Sequence, residues 1–271
     1  MSSREHERAD RDQAGGVGVD DEATVQVKDV HKKFGRSKVL DGLTLDFANN
    51  AVTTILGPSG TGKSVLLKHV VGLLAPDSGS VQVFGQNIWD LSERQRNELR
   101  KRFGVLFQDG ALFGSMDLYN NVAFPLRKNT EKDEDEIREI VSARLDEVGL
   151  TAAMHRLPSE LSGGMRKRAG FARALALEPE VVMFDEPDSG LDPVRTKLLC
   201  NLIKETHRNN LGTYVVVTHD INTARTVSDY IGVLWKGRLV HYGPTDEAFE
   251  SDDPFVQQFL GGSDEGPLGM D

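Results

Sequence analysis

Cysteine is almost absent from this sequence: its 271 residues include one, Cys200. A single thiol excludes an internal disulfide and a cysteine-cluster metal site, which leaves Cys200 the role of a small packed residue on a helix. Long apolar runs are also missing. The longest unbroken stretches, such as Val181-Val-Met-Phe184, are strand-sized and fall well short of the ~18–20 residues needed to cross a bilayer. The start, MSSREHERADRDQAGG, lacks the apolar core of a secretory signal, so a cytoplasmic chain is expected. The third absence is a basic excess. Net charge is −10; residues 1–22 hold three Arg against seven acids, residues 261–271 hold three acids and no base, and 23–260 hold 29 basic against 32 acidic residues. That balance does not fit a nucleic-acid partner. Both tails, 1–22 and 261–271, are polar, glycine-rich and poor in aromatics, and are expected to be disordered.

Between the tails the pattern is that of an α/β chain. Alternation in Ala23–Val30 and Leu43–Phe47 indicates half-solvated antiparallel strands, with Asp41-Gly42 as a turn before the second. Val52–Leu56 reads as a buried strand, Lys63–Leu74 as the helix after it, Ser80–Phe84 and Phe103–Phe107 as further strands. From about 109 to 178 strand signal nearly vanishes and two helical segments stand out, one at Asp133–Val148 with an acidic start suited to a helix N-terminus. Strand–helix alternation resumes at Val181–Phe184, Thr213–Thr218 and Tyr230–Trp235. One α/β domain, 23–250, with a helical insertion accounts for this order.

The strand Val52–Leu56 feeds Gly57-Pro58-Ser59-Gly60-Thr61-Gly62-Lys63-Ser64, which matches the phosphate-binding pattern in the strand–loop–helix context that its mechanism requires. Glycine lets backbone N–H groups converge on phosphate oxygens, and the following helix start adds partial positive charge. Lys63 is placed to contact the β- and γ-phosphates of ATP and Ser64 to ligate Mg²⁺. A second buried strand ends in Asp185-Glu186. Asp185 is a Mg²⁺ candidate and Glu186 a candidate general base for the attacking water. His219 closes another strand and is a candidate γ-phosphate sensor. Gln108 closes a fourth, where its amide can reach Mg²⁺ or the water.

Leu161-Ser162-Gly163-Gly164-Met165 opens a basic helix inside the insertion. Ser162, Gly163 and Gly164 form a second anion-binding helix start, in a different part of the chain from the first. One nucleotide reaches both most simply if two copies stand head to tail, each lending this turn to the other's ATP.

Taken together, these motifs resemble the nucleotide-binding subunit of an ABC transporter over roughly residues 23–250. In order they correspond to Walker A (57–64), the Q-loop (Gln108), the signature (161–165), Walker B (181–186), the D-loop (Ser189-Gly-Leu-Asp192) and the switch histidine (His219). The resemblance implies a P-loop NTPase fold, an ABC-type domain with an N-terminal antiparallel β-subdomain and an inserted α-helical subdomain. It implies an ATPase in which Phe34 stacks on adenine and Asp192 lies at the dimer interface. It also implies integral membrane permease subunits as partners, on the inner face of the cell membrane. Met165 departs from the glutamine found in many relatives, and its side chain donates no hydrogen bond to the nucleotide sugar.

A finer likeness rests on Phe107-Gln-Asp-Gly-Ala-Leu-Phe113, Asn121-Val-Ala-Phe-Pro-Leu126, Met165-Arg-Lys-Arg168, Asp185–Pro193 and Asp253–Phe259. These segments are similar to the ATPases of the Mla and Mce lipid-transport systems, which implies lipid, fatty acid or sterol as cargo. In some Mla systems a small regulatory subunit accompanies the ATPase. An ATPase of another transport system, or a non-transport ABC ATPase, is the alternative. Ala111, Leu112, Phe113, Met116 and Leu118 are more apolar than an exposed loop needs; core packing explains some of them, and a permease helix lying in a surface groove explains the rest. At 251–260, Phe255, Val256, Phe259 and Leu260 share one helical face, which docks either on this chain or on a neighbouring subunit.

Overall fold

The computed structural model describes residues 23–268; the tail 1–22 lies outside them. Strands β1 (Val25–Phe34) and β2 (Ser37–Phe47) form a hairpin, and β4 (Ser78–Val83) and β5 (Gln86–Asn87) extend it into an antiparallel sheet of order β2-β1-β4-β5. The second sheet contains β3 (Val52–Leu56), β6 (Phe103–Leu106), β7 (Val181–Asp185), β8 (Thr213–Thr218), β9 (Tyr230–Trp235) and β10 (Arg238–Pro244). Its order is β10-β9-β3-β8-β7-β6. All pairs in it are parallel except β9–β10. The expected P-loop fold with an antiparallel β-subdomain and a helical insertion is therefore present.

The parallel strands read as continuous apolar runs because both faces are covered. Along β7, Val182 and Phe184 enter one core cluster while Val181 and Met183 enter another. Along β8, Tyr214 and Val216 face the first, Val215 and Val217 the second. The second cluster gathers the antiparallel sheet and helix α1 (Lys63–Val70), and α2 (Glu93–Arg100) adds Leu99 to it. The first gathers the insertion: α3 (Leu118–Asn129), α4 (Glu134–Glu147) and α5 (Gly163–Leu175). It also takes Leu199, Cys200 and Ile203 from α6 (Pro193–Asn210). Cys200 is thus a packed helical residue, free and buried.

Three local features differ from the sequence reading. Asp41-Gly42 is not a turn. The reversal lies at Gly35-Arg36, and β2 runs through Gly42 as an irregularity facing Asp29, with Gly42 at φ 76° and Asp29 at φ 50°. A left-handed residue inside a strand produces a bulge when pairing resumes beyond it, as it does at Leu43 with Val30. The insertion holds three α-helices rather than two helical segments, with short 3-10 turns at Thr151–Ala153 and Pro158–Glu160; Pro125 sits inside α3 and hides it from periodicity. β10 forms an antiparallel edge that alternation had not revealed.

At the C-terminal end, α7 (Ile221–Val227), α8 (Thr245–Phe249) and α9 (Pro254–Gly261) pack over β9. Val256 and Leu260 are buried with Leu56, Ile231, Val233 and Ala248 of the same chain, and Trp235 meets Phe255 at 5.2 Å between ring centroids. After α9 the chain returns to place Leu268 against Gln258, the Leu268 N–H donating to Gln258 Oε1 at 2.6 Å; the last three residues of the tail 261–271 lie outside the described residues.

Candidate functional site

Four neighbouring parallel strands, β3, β8, β7 and β6, end on one edge of the sheet, where open α/β sheets bind ligands. Register brings Leu56 opposite Thr218, Asp185 opposite Val217, and Leu106 opposite Phe184. The residues just beyond these positions are the phosphate-loop, acidic, histidine and glutamine candidates.

In the phosphate loop, a Cβ on Gly57 would meet Leu234 O at 2.4 Å, so only glycine fits under β9 there. Gly62 has φ 106° and caps α1, a backbone conformation that a side chain would strain. The Thr61 hydroxyl donates to Pro58 O at 2.9 Å, while Ser59 and Gly60 remain exposed at the loop tip. Lys63 is buried, and its ammonium donates to Gly57 O at 2.8 Å and Pro58 O at 3.0 Å. Burial pushes the Lys63 pKa down, and the nearby Glu186 and Asp185 carboxylates oppose that shift.

The Ser64 hydroxyl donates to Asp185 Oδ1 at 2.7 Å. Burial raises the Asp185 pKa, against which the Ser64 hydrogen bond acts, and the neighbouring Glu186 raises it further. Glu186 Oε1 lies 4.0 Å from Lys63 Nζ and 3.5 Å from His219 Nδ1. Lys63, Ser64, Asp185, Glu186 and His219 therefore form one cluster. Gln108 turns toward the segment after β7, its amide donating to Ser189 Oγ at 3.2 Å. Phe34, at the end of β1, is 50% exposed, with the Lys32 ammonium 5.7 Å from its ring centroid.

Ser162 caps α5, its hydroxyl accepting from the Met165 N–H at 3.3 Å. Among the described residues, no hydrogen bond joins Ser162, Gly163 or Gly164 to the loop 57–64. A cavity of ≈180 Å³ lies beside this helix start, lined by Ser162, Gly164, Met165, Leu191 and Arg195 among others. Asp192 caps α6, accepting from the Val194 and Arg195 N–H groups at 3.0 Å each. Those bonds, with the Arg195 charge, hold its carboxyl below the usual range.

Two residues that the sequence did not single out belong to the same structure. Lys167, buried on α5, donates to the carbonyls of Pro187 at 2.9 Å, Glu186 at 3.3 Å and Ser189. Asp188, also buried, accepts from the Thr218 hydroxyl at 2.8 and 2.9 Å. The available signal for Lys167 was its place in the buried stripe Gly164, Lys167, Phe171, Leu175, where helical spacing predicts apolar side chains.

The sequence profile of the ABC transporter family matches residues 40–189. The chain is 52% identical over 91% of its length to the "Probable ribonucleotide transport ATP-binding protein mkl" of Mycobacterium leprae, covering 71% of that protein. It is 41% identical to the "Intermembrane phospholipid transport system ATP-binding protein MlaF" of Haemophilus influenzae, covering 90% of this chain and 92% of that one. Its fold matches the dimeric, ADP- and phosphate-bound ATP-binding cassette MJ0796 with a TM-score of 0.75 and 30% identity, over 81% of this chain and 98% of the other. With the phosphate loop, acidic strand and signature turn on one scaffold, the chain belongs to the ABC transporter family, as an ATP-binding, ATP-hydrolysing cassette.

Proposed function

We propose that this chain energises a membrane lipid transporter of the Mla/Mce type by ATP-driven closure of a head-to-tail dimer. The observation that carries the ATPase chemistry is the cluster of Lys63, Ser64, Asp185, Glu186 and His219 at one sheet edge. The backbone N–H groups of Gly57 and of residues 59–62 cradle the phosphates, Pro58 having none to offer, and Phe34 stacks on adenine. Lys63 gives up its contacts with Gly57 O and Pro58 O to neutralise the β- and γ-phosphates. Glu186 orients the attacking water and takes its proton. His219, beside Glu186, senses the γ-phosphate.

The donor set at Ser64 and Asp185, a hydroxyl and a carboxylate in contact, suits a hard oxygen-seeking cation such as Mg²⁺ that keeps several waters. Gln108 would complete it. The ion's contribution when bound is to neutralise charge developing on the phosphate oxygens.

Ser162, Gly163 and Gly164 complete the site of a second copy, with Asp192 beside the shared interface. Nucleotide contacts made only in the closed pair supply the differential binding energy that shifts an attached permease between states. The permease seats on Phe113 and Phe124, which are 42% and 39% exposed and pack against each other at 4.9 Å between ring centroids. Among the described residues no helix is long and apolar enough to cross a membrane, which fits a subunit peripheral on the inner face. A small regulatory subunit is a further candidate partner.

The relatives' names give two cargoes, ribonucleotide and phospholipid. We favour a lipid class, phospholipid, fatty acid or sterol, because the motifs around Gln108, Met165 and Asp253 are those of the lipid branch. Affinity purification of the chain with its permease from native membrane, followed by mass spectrometry of proteins and bound small molecules, tests both parts. Recovery of a permease with lipid supports the proposal. Recovery with ribonucleotide other than the hydrolysed ATP, or with no membrane protein, contradicts it.

A further inference from the structure

We infer that Lys167 is a positioning residue for hydrolysis: its ammonium fastens the turn Glu186–Ser189 to the signature helix and so holds the Glu186 carboxylate in place. Glu186 has φ 47°, a left-handed conformation, and is followed by proline. A non-glycine residue in that region is strained and persists only where its surroundings hold it. Its N–H donates to Val217 O at 2.8 Å, and its carbonyl accepts from the Ser189 N–H at 3.2 Å and from Lys167 Nζ at 3.3 Å. Lys167 also donates to Pro187 O and Ser189 O, so its three N–H donors meet three of the four carbonyls of the turn. The fourth residue, Asp188, anchors the turn from the other side through Thr218, whose neighbour is His219.

The cost of burying an ammonium argues against a chance arrangement. Burial pushes the Lys167 pKa down, and the Asp188, Asp109 and Glu186 charges offset part of that penalty. On α5 itself the helix cannot shift freely. A Cβ on Gly170 would lie 2.8 Å from Gly110 O, and Arg173 donates to Ala111 O at 2.9 Å and to Gly110 O at 3.1 Å. The signature helix is thereby clamped to the segment after Gln108 on one side and, through Lys167, to the turn after Asp185 on the other. This inference rests on the ATPase dimer proposed above: there the helix start at Ser162 faces the partner's nucleotide while the turn serves the chain's own. Lys167 is then the point where the two sites meet within one chain.

The test uses the full chain with Lys167→Met, which keeps the stem and removes the charge, and Lys167→Gln, which keeps two donors. A fluorescent ATP analogue titrates nucleotide sites in each, and phosphate release gives kcat per occupied site. Expected is nucleotide binding near wild type, KM little changed, kcat per site lower by roughly 10–100-fold in Lys167→Met, and partial recovery in Lys167→Gln. Should Lys167→Met fail to fold, a several-fold lower kcat at unchanged KM in Lys167→Gln is the expected result. A lysine that only stabilised the fold would reduce the number of sites and leave kcat per site unchanged, and that outcome overturns the inference. Glu186→Gln is assayed in parallel. If wild type itself releases no phosphate, the ATPase reading fails; if Glu186→Gln still turns over, the role of Glu186 as base fails; if it is inactive while both Lys167 variants match wild type, only the role of Lys167 fails.

Discussion

Ser64 and Asp185 stand 121 residues apart in sequence, yet the Ser64 hydroxyl donates to the Asp185 carboxylate at 2.7 Å. Parallel β3 and β7, separated in the sheet by β8, bring the start of α1 and the end of β7 to the same edge. Two oxygen donors meeting there are the proposed divalent-cation side of the site. Ser64→Ala and Asp185→Asn are each expected to reduce Mg²⁺-dependent hydrolysis at least ~100-fold, from the loss of charge stabilisation worth several kcal/mol. Nucleotide binding in EDTA should persist in both. Phosphate release with varied Mg²⁺, alongside binding in its absence, checks the pair.

The close approach of Gly170 to Gly110 predicts a steric result. In Gly170→Ala the added methyl meets Gly110 O at 2.8 Å and Leu106 Cδ1 at 2.8 Å. The segment after Gln108 must then lift from α5, at a cost of about 1–3 kcal/mol. Urea denaturation of the variant against wild type measures it, and hydrolysis should fall because Gln108 moves with that segment.

Asp41 makes stability depend on pH. The Arg238 guanidinium, and then the Lys38 ammonium, hold its carboxyl down from 3.8 to about 2. A carboxylate whose pKa is depressed on folding contributes stability above its unfolded pKa and loses it as pH falls through the folded one. Asp41→Asn is therefore expected to destabilise the chain at pH 6, and the difference from wild type should shrink as pH falls below about 4 toward 2. Because its partners Arg238 and Lys38 are exposed, added salt should shrink it as well. Denaturant midpoints of both proteins across that range are the measurement.

The paired rings of Phe113 and Phe124 predict a separation of functions. Phe113→Asp is expected to leave the ATPase rate of the isolated chain near wild type and to abolish recovery of a permease from membranes. A variant that still captured the permease would remove this surface from the account.

The cluster at the sheet edge was legible because its members either stand at the end of a strand, as Asp185, Glu186 and His219 do, or open the helix that follows one, as Lys63 and Ser64 do. Lys63, Asp185, Glu186 and His219 carry the chemistry of their positions locally, and the parallel sheet only collects them. Lys167 and Asp188 were not legible in this way. Their roles depend on contacts with carbonyls and a hydroxyl contributed by other segments, and a buried lysine resembles a surface one until its helix is placed. Pro125 concealed α3 because proline normally ends a helix. Asp41-Gly42 suggested a hairpin turn, but the residue pair that favours a left-handed turn also favours a bulge, and only pairing across to Val30 and His31 distinguishes them.

In the proposed mechanism Glu186 drives hydrolysis in a site finished by a second copy. Glu186→Gln, which keeps the shape and removes the base, tests it in one sample by phosphate release together with sedimentation in the presence of Mg²⁺-ATP. Turnover reduced by ~100-fold or more and an ATP-dependent dimer that accumulates are the expected results. Hydrolysis near the wild-type rate, or a chain that stays monomeric with ATP bound, would contradict it.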